Sequence, residues 1–325
     1  MADQNQEAWP PIVAGIDDSP ESVFAARVAA SIAQRTGAKC LFVHAARDVW
    51  ATVKRISAVA AATASATPIA ESHFDEMLSS AARVKIESWL NQHLPSGVEY
   101  ELRVLLGNAP ATLEKVVSEA EAALVVLGGK QHLALQRWFG GSTAQHMART
   151  ADVPILVVSA DAAPIRRVLV AVDFTPLAGE TIRWAERFAR LDGAALRVLH
   201  VVELLPTDPE LGLRMHQEEF YRVSSEICEE SLWPLTSMTD AEHVVRQGSL
   251  AATIEAEVKD WTADLLVVGT HGKSWANRLI LGSTTDTLLN DLPATTLVIP
   301  PPASNDAPPG ASTSTPRAAN ARIVV

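Results

Sequence analysis

Cysteine is nearly missing: only Cys40 and Cys228 occur in 325 residues, one in each half of the chain. That excludes a disulfide framework, and the distance between them gives no zinc-type spacing. Positive charge is also short, with 27 Lys and Arg against 38 Asp and Glu and a formal charge of −11. A nucleic-acid backbone is therefore unsuitable as main partner, because phosphate strands are bound by clustered cations and no such cluster is present. Long apolar runs are absent too, whereas a membrane-spanning helix needs roughly 20 such residues. The nearest stretch, 56-ISAVAAATASATPIA-70, consists mostly of Ala, Ser and Thr. The opening MADQNQEAWPP has neither the basic start nor the apolar centre of a secretory signal. These absences predict a soluble, cytoplasmic protein with no membrane partner. Among catalytic signatures, H-E-x-x-H, G-x-S-x-G and a G-x-G-x-x-G behind an early strand are all missing, and nothing pairs a nucleophile with a base.

What is present is a sequence that repeats itself. The composition, 48% hydrophobic and 20% charged, is ordinary for a globular chain, and the length suits two domains. Residues 12–45 align without a gap to 168–201, and 107-GNAPATLEKVVSEAEAALVVLGG-129 aligns to 248-GSLAATIEAEVKDWTADLLVVGT-270. The expected domains are 9–160 and 165–301, joined near 159-SADAAPIRR-167, with a disordered tail over 302–325 that is rich in Pro, Ala, Ser and Thr. The first repeat is longer than the second over 47–97, and the Ala-rich middle of that stretch suits either a helix or a loop.

Within each repeat strands alternate with helices. The runs 168-VLVAV-172, 196-LRVLHVV-202 and 265-LLVV-268 are apolar throughout, as parallel strands covered on both faces must be. Between the first two, Ile182, Ala185, Phe188 and Ala189 recur at helical spacing behind Thr175-Pro176, an N-cap and first-turn proline matched by Ser19-Pro20 in the other repeat. The reading is an α/β fold of two tandem Rossmann-like units with parallel sheets.

The stretch 269-GTHGKSWANRLILGST-284 places Gly, Lys and Ser together behind a strand, yet it is not a P-loop. That loop requires a further glycine at the position held by Val267. Instead glycines stand at 269, 272 and 282, the last of them opening a helix whose unpaired N–H groups suit a phosphate. G-x2-G-x9-G-[ST], behind the fourth strand of a unit whose first strand ends in Asp, resembles the ATP-binding signature of the universal stress protein family. The resemblance extends to about residue 300 as two copies, and implies in each a five-stranded parallel sheet with helices on both faces. It implies ATP, with or without Mg²⁺, held by Ala171, Val172 and Asp173 at adenine and ribose and by Val201 at the adenine edge. Val268, Gly269 and Gly272 would line the ribose and phosphates, and Gly282, Ser283 and Thr284 would cradle the phosphates. The resemblance further implies that 154-PILVV-158 and 295-TTLVI-299 pair across the repeats, so that one chain mimics a dimer, and that two chains can associate further.

The first repeat departs from the pattern. It keeps Asp17, Gly128, Gly141, Ser142 and Thr143, but has Gln131 where the second glycine belongs and Ala45 in place of Val201. ATP is therefore expected mainly in the second repeat. Plainer roles stand beside these. Asp17 and Asp173 also suit turns, and Ser142 and Ser283, with Gln145 and Asp286 three residues on, also suit capping boxes. His44 and His200 read as strand residues with satisfied rings. Lys130, Arg137, Lys273 and Arg278 read as solvated loop charges as readily as phosphate contacts, and His271 alone is placed to act as a base on the phosphates. The preferred function is a regulatory ATP-binding protein acting in a stress response through an unidentified protein partner. The alternatives are a slow ATPase or nucleotidyl transferase, and an association module that binds no nucleotide.

Overall fold

The computed structural model describes residues 9–46, 71–129, 143–159, 164–203, 217–270 and 281–301. In the first repeat β1 (Ile12–Gly15), α1 (Pro20–Thr36), β2 (Cys40–Ala46), α2 (Glu71–His93), β3 (Glu101–Leu106), α3 (Ala109–Glu119), β4 (Leu124–Gly128), α4 (Thr143–Thr150) and β5 (Ile155–Val158) follow in order. The second repeat gives β6 (Arg167–Ala171), α5 (Ala178–Asp192), β7 (Ala195–Val202), α6 (Gln217–Ile227), β8 (Glu242–Gln247), α7 (Leu250–Asp260), β9 (Leu265–Gly269), α8 (Ser283–Asp291) and β10 (Thr295–Ile299).

Ten strands form one sheet in the order β3-β2-β1-β4-β5-β10-β9-β6-β7-β8. Each repeat contributes five strands that run parallel, and only β5 and β10, at the join, are antiparallel. At that join Leu156 faces Leu297, flanked by Val157 opposite Thr296 and Ile155 opposite Val298. Leu156 and Leu297 are equivalent positions of the two repeats, so an approximate two-fold axis passes between them. One edge of each repeat, β5 and β10, is thereby covered by the other, while β3 and β8 form the outer edges of the sheet.

Burial explains why the strand sequences do not alternate. Val168 and Val170 of β6 join a core on one face of the sheet while Leu169 joins the core on the other. In β9, Leu265 and Val267 divide from Leu266 and Val268 in the same way. The first core lies under α1, α2 and α5, and the second under α3, α4, α7 and α8. Ile182, Ala185, Phe188 and Ala189 of α5 are fully buried, as their spacing requires.

The helix starts differ between repeats. Ser19 caps α1, its hydroxyl accepting from Ser22 N, with Pro20 in the first turn. The expected counterpart, a helix capped by Thr175 with Pro176 first, is wrong: α5 begins at Ala178, and Leu177 at its cap makes no side-chain bond. The reason lies one turn on. Ser22 Oγ donates to the Asp17 carboxylate and accepts from Asp17 N, whereas its equivalent is Ala178, which has no hydroxyl. As at Ser19, the Thr175 N–H donates to the preceding Asp and its carbonyl closes a turn three residues on, but the Thr175 hydroxyl donates to Asp173 where Ser22 serves Asp17. Both helices end alike, on Gly37 and Gly193 with φ of 70° and 63°, which a side chain would strain.

Candidate functional site

In an open α/β sheet, ligands settle beyond the carboxyl ends of the strands where the strand order reverses. Those points lie between β6 and β9 in the second repeat and between β1 and β4 in the first. Every described candidate residue of the second repeat belongs to that edge. Ala171 ends β6 and is followed by Val172 and Asp173; Val268 and Gly269 end β9; Gly282, Ser283 and Thr284 open α8. In the first repeat Gly128 ends β4, Asp17 follows β1, Ala45 lies near the end of β2 and Thr143 begins α4. Gly272, Gly141, Ser142, Gln131 and His271, like Lys130, Arg137, Lys273 and Arg278, lie outside the described residues.

The loop behind β6 is held from beneath. Val172 N donates to Leu199 O at 2.9 Å, and the buried His200 ring donates from Nδ1 to Val172 O at 2.9 Å. His44 makes the equivalent bond to Ile16 O, also 2.9 Å, so both histidines are strand residues that pin a loop. The Val172–Leu199 bond also fixes the direction of β7. Peptide groups alternate sides along a strand, so Val201 presents its N–H and C=O to the same side as Leu199, beyond the point where β6 has ended. Ala45 does so beyond β1, because Val43 O accepts from Ile16 N. Asp173 is partly buried, and its Oδ1 serves the turn with Thr175. An exposed ring, Phe174, rests against His200 with 4.6 Å between centroids.

The start of α8, like that of α5, has no side-chain cap. Gly282 at its cap offers no side-chain acceptor, and the first intrahelical bond is Asp286 N to Gly282 O, so among the described residues no side chain caps the N–H groups of the first turn. This overturns the capping-box reading of Ser283 and Asp286. Ser283 is the first helical residue and exposed, and Asp286 bonds Arg149 of α4 at 2.8 Å. Gln145 likewise reaches across the join, donating to Asn290 at 2.7 Å. Two short bonds fix the helix start to the strand before it: Gly282 N to Thr270 O and Thr285 Oγ1 to Gly269 O, each 2.8 Å. Thr285 was not singled out by the sequence, although setting 282-GSTT-285 beside 141-GSTA-144 marks the one position in those four where the repeats differ.

Two of the glycines have packing neighbours where a Cβ would sit. A Cβ on Gly128 would meet Glu21 O at 2.6 Å, and one on Gly269 would meet Leu177 Cδ2 at 2.8 Å. These glycines let a helix start lie directly on a strand end. Among the described residues no group of three or more His, Cys, Asp or Glu is placed to hold a metal ion, and no helix is long and apolar enough to cross a membrane.

Known proteins share this fold. A solved universal stress protein from Archaeoglobus fulgidus superposes with a TM-score of 0.61 at 15% identity, covering 89% of this chain and 98% of that one. A protein of unknown function from Pseudomonas aeruginosa gives 0.57 at 17% identity, covering 90% and 93%. A universal stress protein of Mycolicibacterium smegmatis is 30% identical over 131 residues, which is 38% of this chain and only 44% of that relative. The sequence profile of the universal stress protein family matches residues 9–159 and again 164–300. Nearly the whole described chain is thus two consecutive copies of one domain type, and the chain belongs to the universal stress protein family.

Proposed function

We propose that this chain binds ATP at the carboxyl edge of its second repeat and holds it as a regulatory state read by a protein partner in a stress response. The observation that carries the reading is the uncapped amino end of α8, tied to the end of β9 and placed at the β6–β9 reversal. Phosphates would take the free N–H groups there. Adenine would meet the peptide edge of Val201 beyond the end of β6, and the ribose would lie by Val172 and Asp173. A magnesium ion, if bound, would come with the phosphates. The first repeat keeps the strand edge at Ala45, but with Gln131 and without the second glycine it would be the weaker site or an empty one. Membership of the family supports a stress-related role, and the domains at 9–160 and 165–301 would act as one body across their shared sheet.

Titration calorimetry of the purified chain with ATP tests this directly. One site per chain is expected, with substitution of Gly282 by a bulky residue abolishing it. No detectable ATP binding, or two equivalent sites, would overturn the reading.

A further inference from the structure

Resting on the ATP reading above, the difference between Thr285 and Ala144 says what makes the second repeat the tighter one. Thr285 is buried at 5% exposure in the first turn of α8, and its hydroxyl donates to the carbonyl of Gly269, the last residue of β9. Gly282 N–H donates a backbone hydrogen bond to Thr270 O, and Thr270 N in turn donates to Ile299 O of β10. The amino end of α8 is therefore braced, by one side chain and two peptide groups, to the two strands beneath it. Ala144, buried at 6% at the equivalent place in α4, fills the space with a methyl and has no hydroxyl to offer Gly128.

Backbone donors bind an anion well only when their position is fixed before it arrives, since any reordering on binding is subtracted from affinity. A helix end that can shift against its strand spreads its N–H groups over several positions. We infer that Thr285 is the positioning residue that sets the amino end of α8 for the nucleotide's phosphates, and that Ala144 leaves the first repeat without this brace.

The test separates a phosphate-specific effect from general damage by titrating both ATP and adenosine into wild type, Thr285→Val and Thr285→Ser. Valine keeps the shape and removes the hydroxyl; serine keeps the hydroxyl. Loss of one buried hydrogen bond predicts about tenfold weaker ATP binding in Thr285→Val. Adenosine binding should be unchanged in that variant, and Thr285→Ser should return most of the ATP affinity. Thr285→Val binding ATP as wild type does, or losing ATP and adenosine equally while folded, would overturn the inference. Wild type that binds adenosine alone would refute the phosphate placement, and wild type that binds neither would refute the nucleotide reading itself.

Discussion

Alanine at Gly128 and at Gly269 should have different costs, although the two glycines are equivalent in the repeat. Neither has a positive φ, so alanine suits both backbones, and in the unfolded chain it gains about 0.4–1 kcal/mol by restricting freedom. Against that stands the new methyl. At Gly128 it would lie 2.6 Å from Glu21 O and 2.7 Å from Glu21 C. These are backbone atoms in the first turn of α1, held by the Ser19–Ser22–Asp17 bonds, so the helix start itself must move. Overpacking of this kind costs about 1–3 kcal/mol, and rigid neighbours place it toward the upper end. At Gly269 the close atom is Leu177 Cδ2 at 2.8 Å, and the next lies at 3.5 Å. A leucine tip can rotate away for about 0.5–1.5 kcal/mol. The net expectation is that Gly128→Ala loses about 1–2 kcal/mol while Gly269→Ala stays close to neutral. Urea unfolding followed by tryptophan fluorescence reads both. If Gly269→Ala proves as destabilising as Gly128→Ala, Leu177 does not give way as a flexible tip should and the distinction between the two sites fails.

Two other outcomes follow from the same bonds. Glu186 of α5 is 2% exposed; burial pushes its carboxyl pKa up, but bonds from Ser237 and Met238 and the charge of Arg190 outweigh this and hold it below its ordinary 4.5. A carboxylate depressed on folding stabilises above its unfolded pKa and loses that contribution as pH falls through the folded value. The stability gap between wild type and Glu186→Gln should therefore narrow below pH 4.5, and an equal gap at neutral and acid pH would contradict the assignment. Arg149 and Asp286 pair at 2.8 Å with 39% and 37% of their side chains exposed, so a double-mutant cycle should give a coupling of about 0.5 kcal/mol that shrinks in high salt. A coupling above about 2 kcal/mol would mean that the pair is shielded from solvent far better than its exposure suggests.

The repeat made the fold legible. Once 12–45 and 168–201 align, two α/β units follow, and continuous apolar strands imply covered faces. Local rules failed where the repeats differ by a single side chain. Thr175-Pro176 looks as good a helix start as Ser19-Pro20, and only Ala178 in place of Ser22 shows that the cap network cannot close. The capping-box pattern at Ser283 and Asp286 matches by spacing, but spacing does not reveal Arg149 on another helix competing for the carboxylate. Thr285 was illegible for a related reason. Its importance depends on the carbonyl of Gly269 lying beneath it, a contact between residues sixteen apart whose connecting loop the motif describes only by its glycines.

Placing both copies in one chain has a chemical consequence at the approximate axis. Contacts in a dimer of identical units occur twice with the same residues on each side. Here the pairs are Gln145 with Asn290 and Asp286 with Arg149, equivalent in position but different in charge. The asymmetry falls on the helix that opens behind the complete glycine motif. Asp286 sits in the first turn of α8, where a carboxylate favours the helix dipole but opposes any phosphate bound at the same end. Arg149, supplied by the first repeat, returns that local charge to neutral from across the axis. On the nucleotide reading, the repeat with the degenerate motif offsets part of the acidic charge at the other's helix start, by no more than the small coupling expected of so exposed a pair. An identical-unit dimer could do this only by placing the same charge pair at both sites.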